Sequence, residues 1–234
     1  MTQPQRDPGS NSTASRIAAA FGDWTPRAVV FDCDGLLLDT ESVWEETQRR
    51  VIQEVGARIR DDDRRALHGS ALETAAALFA ERSGTDVQIV DRRLHEVFDE
   101  LLTDGVRTMP GALTTLRAVA ERVGVGCASN SWLTALEHKL TVGGLREHIT
   151  VLQASDTVER PKPAPDMYAA AARALGVDPR DALAFEDSAT GARAARDAGL
   201  RLIAVPAPGD PAPEADLVID SLEDPALHEW ISTW

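Results

Sequence analysis

The chain is short of positive charge: 24 lysines and arginines stand against 38 aspartates and glutamates, a formal net charge of −14 over 234 residues. A surface of that sign repels phosphate backbones and anionic headgroups, so neither nucleic acid nor membrane is an expected partner. A phosphorylated small molecule would also need a local positive device to approach. Cysteine is nearly absent. The two that occur, Cys33 and Cys127, follow strand-like runs without metal-type spacing, and are expected as reduced, small core residues of a cytoplasmic protein. No stretch approaches the roughly 18 apolar residues of a membrane span. The first residues offer no basic segment followed by an apolar signal core. Proline, with 13 copies in the chain, is missing from the whole stretch Glu41 to Asp104.

What is present is an ordinary globular composition, 43% hydrophobic and 26% charged, enough for one sizeable core and a smaller satellite domain. Residues 1–25 are rich in Ser, Thr, Gln, Pro and Asn, with a short apolar patch near Ile17 to Phe21, and read as a flexible tail. Then comes Ala28-Val29-Val30-Phe31, a run suited to a strand covered on both faces. In open α/β sheets the chemistry collects outside the carboxyl ends of such strands. Asp32 and Asp34 stand there, with Gly35 allowing a sharp turn. One carboxylate can attack an electrophile or bind a hard cation, and a second can pass a proton to or from the reacting oxygen. An isolated Asp-x-Asp is more simply an acidic surface turn, so the decision rests on partners elsewhere.

From Glu41 to Asp104 the apolar residues recur at helical spacing, as in Val43, Thr47, Val51 and Val55, or Leu72, Ala75, Ala76 and Phe79. Gly56, Gly69-Ser70 and Ser83-Gly84 divide the stretch into about four helices. The spacing predicts an all-helical insertion over 41–104, between a first core segment at 26–40 and the rest of the core at 105–234.

After Met109 the α/β pattern resumes. Pro110-Gly111 opens a helix carrying Leu113, Leu116 and Val119, and strands follow at Val125–Ala128, Val151–Ala154, Ala182–Phe185, Leu202–Val205 and Leu217–Ile219. Ser129-Asn130-Ser131 ends the first of these and precedes a helix, where a hydroxyl and the first amides can receive phosphate oxygens; alone, it is better explained as a helix cap. Lys162 lies between Pro161 and Pro163, which hold the backbone out of helix until Asp166. Glu186-Asp187 ends another strand, and adjacent acids there persist more readily with a cation between them.

Together these segments resemble the haloacid dehalogenase (HAD) superfamily. Asp32-Cys33-Asp34-Gly35-Leu36-Leu37-Leu38-Asp39-Thr40 is similar to its first motif in the phosphatase and phosphomutase branches, which carry two acids there. Ser129 falls at the second motif, Lys162-Pro163-Ala164-Pro165-Asp166-Met167-Tyr168 at the third, and Glu186-Asp187 at the fourth. The resemblance implies a Rossmann-like three-layer α/β core with a parallel sheet, and an inserted helical cap reached through hinges near Thr40 and Gly105. It implies Asp32 as nucleophile and metal ligand, and Asp34 as general acid/base with its backbone carbonyl on the metal. Ser129 and Asn130 then bind phosphate, and Lys162 neutralises nucleophile and phosphoryl group together. Asp187 is a Mg²⁺ ligand, and Glu186 serves either as a direct ligand or behind one. Four acids against one lysine call for such a cation before a phosphate dianion can enter. A response-regulator receiver uses similar residues, but in a different order and without a cap.

Within the superfamily the chain most resembles the β-phosphoglucomutase-like branch. Mutases there carry a histidine in the first cap helix and an arginine in the next cap loop; this chain has Trp44 and, at the roughly corresponding place, Leu72. The run Thr40 to Trp44 is closer to sugar-phosphate phosphatases. The expectation is therefore a Mg²⁺-dependent phosphatase acting on a small phosphorylated metabolite, a sugar phosphate, through an aspartyl-phosphate. A phosphomutase is the alternative, and a non-catalytic phosphate-binding or regulatory protein comes third. Trp44 and Ser70 are the cap candidates for specificity, with His68 and Glu41 weighed and given lesser roles, and the protein is expected to be a monomer or weak dimer.

Overall fold

A computed structural model describes residues 12–60, 62–63, 67 and 72–234, residue 73 by its backbone alone. The strands are β1 (Ala28–Phe31), β2 (Gly124–Ala128), β3 (Val151–Gln153), β4 (Ala182–Glu186), β5 (Arg201–Ala204) and β6 (Leu217–Val218). Among the described residues the helices are α1 (Thr13–Phe21), α2 (Thr40–Val55), α3 (Leu72–Ser83), α4 (Val87–Asp104), α5 (Ala112–Ala120), α6 (Leu133–Val142), α7 (Asp166–Ala174), α8 (Ala189–Asp197) and α9 (Pro225–Ser232). They fall into two compact units, one ending at Leu38 and resuming at Thr108, the other Asp39–Arg107. No helix among the described residues is long and apolar enough to cross a membrane.

The first unit is a six-stranded, wholly parallel sheet in the order β3-β2-β1-β4-β5-β6. Every residue of β1 and β4 is buried, which is why both read as unbroken apolar runs instead of alternating ones. Phe31 lies in register with Cys127 on one side and Phe185 on the other, and the two phenyl rings stack at 4.9 Å. The strand order runs outward from β1 to β3, then jumps back past β1 to β4. Right-handed crossovers then place α5 and α6 on one face and α7 and α8 on the other. Small residues make the second face close-packed: Ala171 and Ala172 of α7 and Ala192, Ala194 and Ala195 of α8 share one buried cluster with Val30 and Ala184.

The second unit is helical. Asp39 caps α2 by accepting from the Ser42 N–H at 3.1 Å, and Gly56, at φ +67°, ends it in the left-handed conformation that glycine adopts without strain. Val51, Phe79, Val90, Leu94 and Val97 form its core, and Arg82 ties Asp63 to α3 at 2.8 Å.

The expected tail is corrected in part. Residues 1–11 lie outside the described residues, but 13–21 form helix α1 and are no tail. Ser12 caps it, Ile17 and Phe21 are buried, and the Phe21 ring stacks on Trp230 of α9 at 4.8 Å and on Trp24 at 5.9 Å. The apolar patch is short because its partner lies at the other end of the chain. Phe21→Ala should therefore cost about 3 kcal/mol, the scale of truncating a buried aromatic, read from the urea midpoint. A loss under about 0.5 kcal/mol, the scale of a surface change, would return this segment to the status of a tail.

Candidate active site

The strand order reverses between β1 and β4, and at such a switch point the carboxyl ends of the two strands open a crevice. Both strands end in acids. Asp32 follows β1, its N–H donating to the Phe185 carbonyl at 3.0 Å, and Glu186 ends β4 with Asp187 directly after it. The chain then turns back on itself, with the Gly35 N–H donating to the Leu38 carbonyl at 2.9 Å. Gly35 sits at φ +82°, and a Cβ there would overlap the Asp187 carboxylate, so only glycine lets the turn pass this close.

The Lys162 ammonium lies between two carboxylates, 2.5 Å from Asp32 Oδ1 and 2.6 Å from Glu186 Oε1. All three side chains are buried. Glu186 is also held by the Tyr168 hydroxyl at 2.7 Å on Oε1, and by the Ser188 N–H and Oγ at 3.2 and 3.0 Å on Oε2. Four donors fill the four lone-pair directions of a carboxylate. The carboxylate needs the room it has, because a Cβ on Gly191 would overlap it. Asn130, expected at the phosphate, turns its side-chain amide to the main chain of Lys162, with Oδ1 accepting from N–H at 3.0 Å and Nδ2 donating to C=O at 3.2 Å.

Oxygens of Asp32, Glu186 and Asp187 lie within 4.8 Å of one another. Unit charges at that range repel by about 3 kcal/mol per pair at an effective dielectric near 20. Burial pushes the Asp32 carboxyl well above the ordinary range; Lys162 opposes the shift, and Glu186, Asp187 and Asp34 reinforce it. Asp187 is pushed up to about 7, by burial and then by Glu186. Burial alone would lower Lys162, but Asp32 and Glu186 beside it raise it overall, so it stays an ammonium. An all-oxygen donor set with this surplus of negative charge fits a hard divalent cation, and no sulfur or imidazole ligand joins it among the described residues.

The second acid faces other partners. Asp34 accepts from Ser129 Oγ at 2.8 Å and from Ser131 Oγ at 3.4 Å, and ion-pairs with Lys139 of α6. Lys139 is buried between Leu136 and Leu140 and also donates to Ser131 Oγ at 2.7 Å. Burial would lower its pKa, but the Asp34 carboxylate more than offsets this and holds it above the ordinary lysine value. Lys139 was not among the residues expected from sequence. The signal was nevertheless there: of the 24 basic residues only Lys139 and Lys162 are lysines, and both end at this crevice.

Residues 29–205 match the model of the haloacid dehalogenase-like hydrolase family. The chain belongs to that family. It is 33% identical to hexitol phosphatase B of Escherichia coli, over 79% of this chain and 86% of that one. It is 30% identical to a phosphorylated carbohydrates phosphatase of Thermotoga maritima, over 75% and 83%. Among solved structures, CbbY of Rhodobacter sphaeroides in complex with phosphate superposes with a TM-score of 0.69 at 28% identity, covering 85% of this chain and 95% of that one. The protein is a HAD-like phosphatase, a hydrolase of phosphoric monoesters.

In the helical unit of this HAD-like chain, Trp44 packs edge-on against Phe98 at a ring distance of 6.2 Å, and its buried indole N–H meets no acceptor among the described residues. Ser70, the other cap candidate, and His68 lie outside the described residues. The crowding at Gly191 yields a test of the core. Gly191→Ala should push the Glu186 carboxylate, and Lys162 with it, out of place and lower kcat about a hundredfold, the scale of an ångström-sized misplacement. Unchanged steady-state kinetics would show that the Glu186–Lys162 geometry does not matter to turnover.

Proposed function

We propose that this phosphatase hydrolyses a phosphorylated sugar or sugar alcohol through an aspartyl-phosphate on Asp32, with Mg²⁺. The observation that carries the reading is the buried Asp32–Lys162–Glu186 chain at the switch point, which aims one shielded carboxylate into the crevice. The Asp32 oxygen forms a bond to phosphorus while the bond to the alcohol oxygen breaks, and Asp34 gives that oxygen its proton. In the second step Asp34 takes a proton from water, the water oxygen bonds to phosphorus, and the Asp32–phosphorus bond breaks to release phosphate. Ser129 and Lys162 hold the phosphoryl oxygens, and Asn130 acts by fixing the Lys162 main chain.

Three carboxylates, Asp32, Glu186 and Asp187, face one ammonium, Lys162, and leave a surplus equal to the charge of one divalent ion. Asp32 and Asp187 would hold that ion together with the Asp34 backbone carbonyl. Glu186, whose oxygens already take four donors, serves by holding Lys162 instead of ligating. When bound, Mg²⁺ supplies charge neutralisation at the phosphoryl group. The sugar-phosphate substrate rests on the phosphatases of hexitol and carbohydrate phosphates to which the chain is similar. A mutase would need a second phosphate site in the cap, and Leu72 packs against that unit's apolar core, where it offers no charge.

Asp32→Asn should lower turnover by about 10⁴-fold or more, the scale of losing a nucleophile. It should unfold at no lower temperature than the parent, because it relieves a crowded charge. Appreciable turnover by this variant, in a preparation that mass spectrometry shows to be free of deamidation, would remove Asp32 from its role. Chelation should stop release of inorganic phosphate from a panel of hexose and hexitol phosphates, Mg²⁺ should restore it, and Ca²⁺ should restore it poorly because its looser coordination misplaces the attacking oxygen. Full activity in chelator would contradict the charge argument, and isomerised sugar phosphate in place of free phosphate would favour the mutase.

A further inference from the structure

Lys139 is a buried charged group beside the proposed site that the chemistry above does not explain. It sits on the inward side of α6, between two buried leucines, where a methionine or leucine would pack without desolvating a charge. Buried ion pairs are weak contributors to stability against an apolar replacement of similar volume. The ammonium is spent on two atoms: a carboxylate oxygen of Asp34 and the hydroxyl of Ser131. The other Asp34 oxygen is held by Ser129 Oγ at 2.8 Å, with Ser131 Oγ further off at 3.4 Å. Ser129 is the hydroxyl assigned above to the phosphoryl group. When substrate takes that hydroxyl, Asp34 loses its short hydroxyl contact, and the lysine on a rigid helix remains.

We propose that Lys139 is the positioning residue for Asp34, keeping the proton-transfer carboxyl aimed once the substrate has occupied Ser129. The lysine does not touch the reacting atoms. It acts through Asp34, and so its effect must follow the need for a proton on the leaving oxygen. An alkyl phosphate expels an alkoxide that has to be protonated; p-nitrophenyl phosphate expels a stable phenolate that does not. The inference rests on the reading of Asp34 as general acid, and the same substrate pair tests the two separately.

The experiment compares kcat/KM, which reports through the first phosphoryl transfer, for p-nitrophenyl phosphate and for the alkyl phosphate that the parent turns over best. Asp34→Asn is the control: it should lower the alkyl value by about a hundredfold or more relative to the aryl value, within the usual range of general acid catalysis. Lys139→Met should shift the same ratio in the same direction, by about tenfold or more. Lys139→Arg should recover part of it. If the methionine variant does not fold by circular dichroism, Lys139→Gln takes its place, and failure of both means that the lysine serves folding and the proposal is wrong. Equal losses on both substrates in a folded Lys139 variant, with the Asp34→Asn ratio shifted, overturn the positioning role alone. An unshifted ratio in Asp34→Asn overturns the general-acid reading and the proposal with it.

Discussion

Everything at the crevice depends on keeping Lys162 charged inside the protein between Asp32 and Glu186. A lone buried ammonium would be driven neutral, and two lone carboxylates would be driven to take protons. Set in a row at 2.5 and 2.6 Å, the two carboxylates hold the ammonium charged and Lys162 offsets part of the shift that burial imposes on Asp32, while the remaining lone pairs of Glu186 are filled by Tyr168 and Ser188. The surrounding fold supplies what this arrangement needs. Adjacent parallel strands bring Asp32 and Glu186 side by side, Asn130 clasps the Lys162 backbone, and Gly191 leaves space where any side chain would intrude.

The second acid is placed by a separate device. Asp34 is two residues from Asp32, yet its carboxylate belongs to a cluster made by the Ser129–Ser131 loop and α6. Each acid thus has its own lysine, and the two ends of the proposed reaction, attack and proton transfer, are held by different elements. In a chain that otherwise uses arginine, whose planar fork is wider and always charged, the compact ammonium suits both buried positions.

Much of this was legible in the sequence because strands buried on both faces appear as short apolar runs. Ala182–Phe185 was expected and β4 runs Ala182–Glu186; Leu202–Val205 was expected and β5 runs Arg201–Ala204. The acids that follow those runs, Asp32, Glu186 and Asp187, do gather in one place, with Lys162 of the proline-flanked loop among them. What escaped depended on distant partners. Helix α1 looks like a polar tail until Trp230 supplies its apolar surface, and α9 is signalled in the sequence only by its helix-start residues Asp224 and Pro225. Lys139 reads as one more polar residue on a helix, since periodicity shows that it falls beside Leu136 and Leu140 but not that a carboxylate waits there. Nor can spacing tell that Asn130 serves a lysine backbone, or that Glu186 has no lone pair to spare.

The central claim is that the carboxylate held by Lys162 is the one that bonds to phosphorus. Enzyme quenched in acid during turnover, reduced with borohydride and mapped by tandem mass spectrometry reports that bond directly, because an acyl phosphate is reduced to the alcohol while free carboxylates are untouched. Homoserine at position 32 is the predicted result; the mark at Asp34 or Asp187, or no mark in samples quenched while phosphate is being released, would contradict the account.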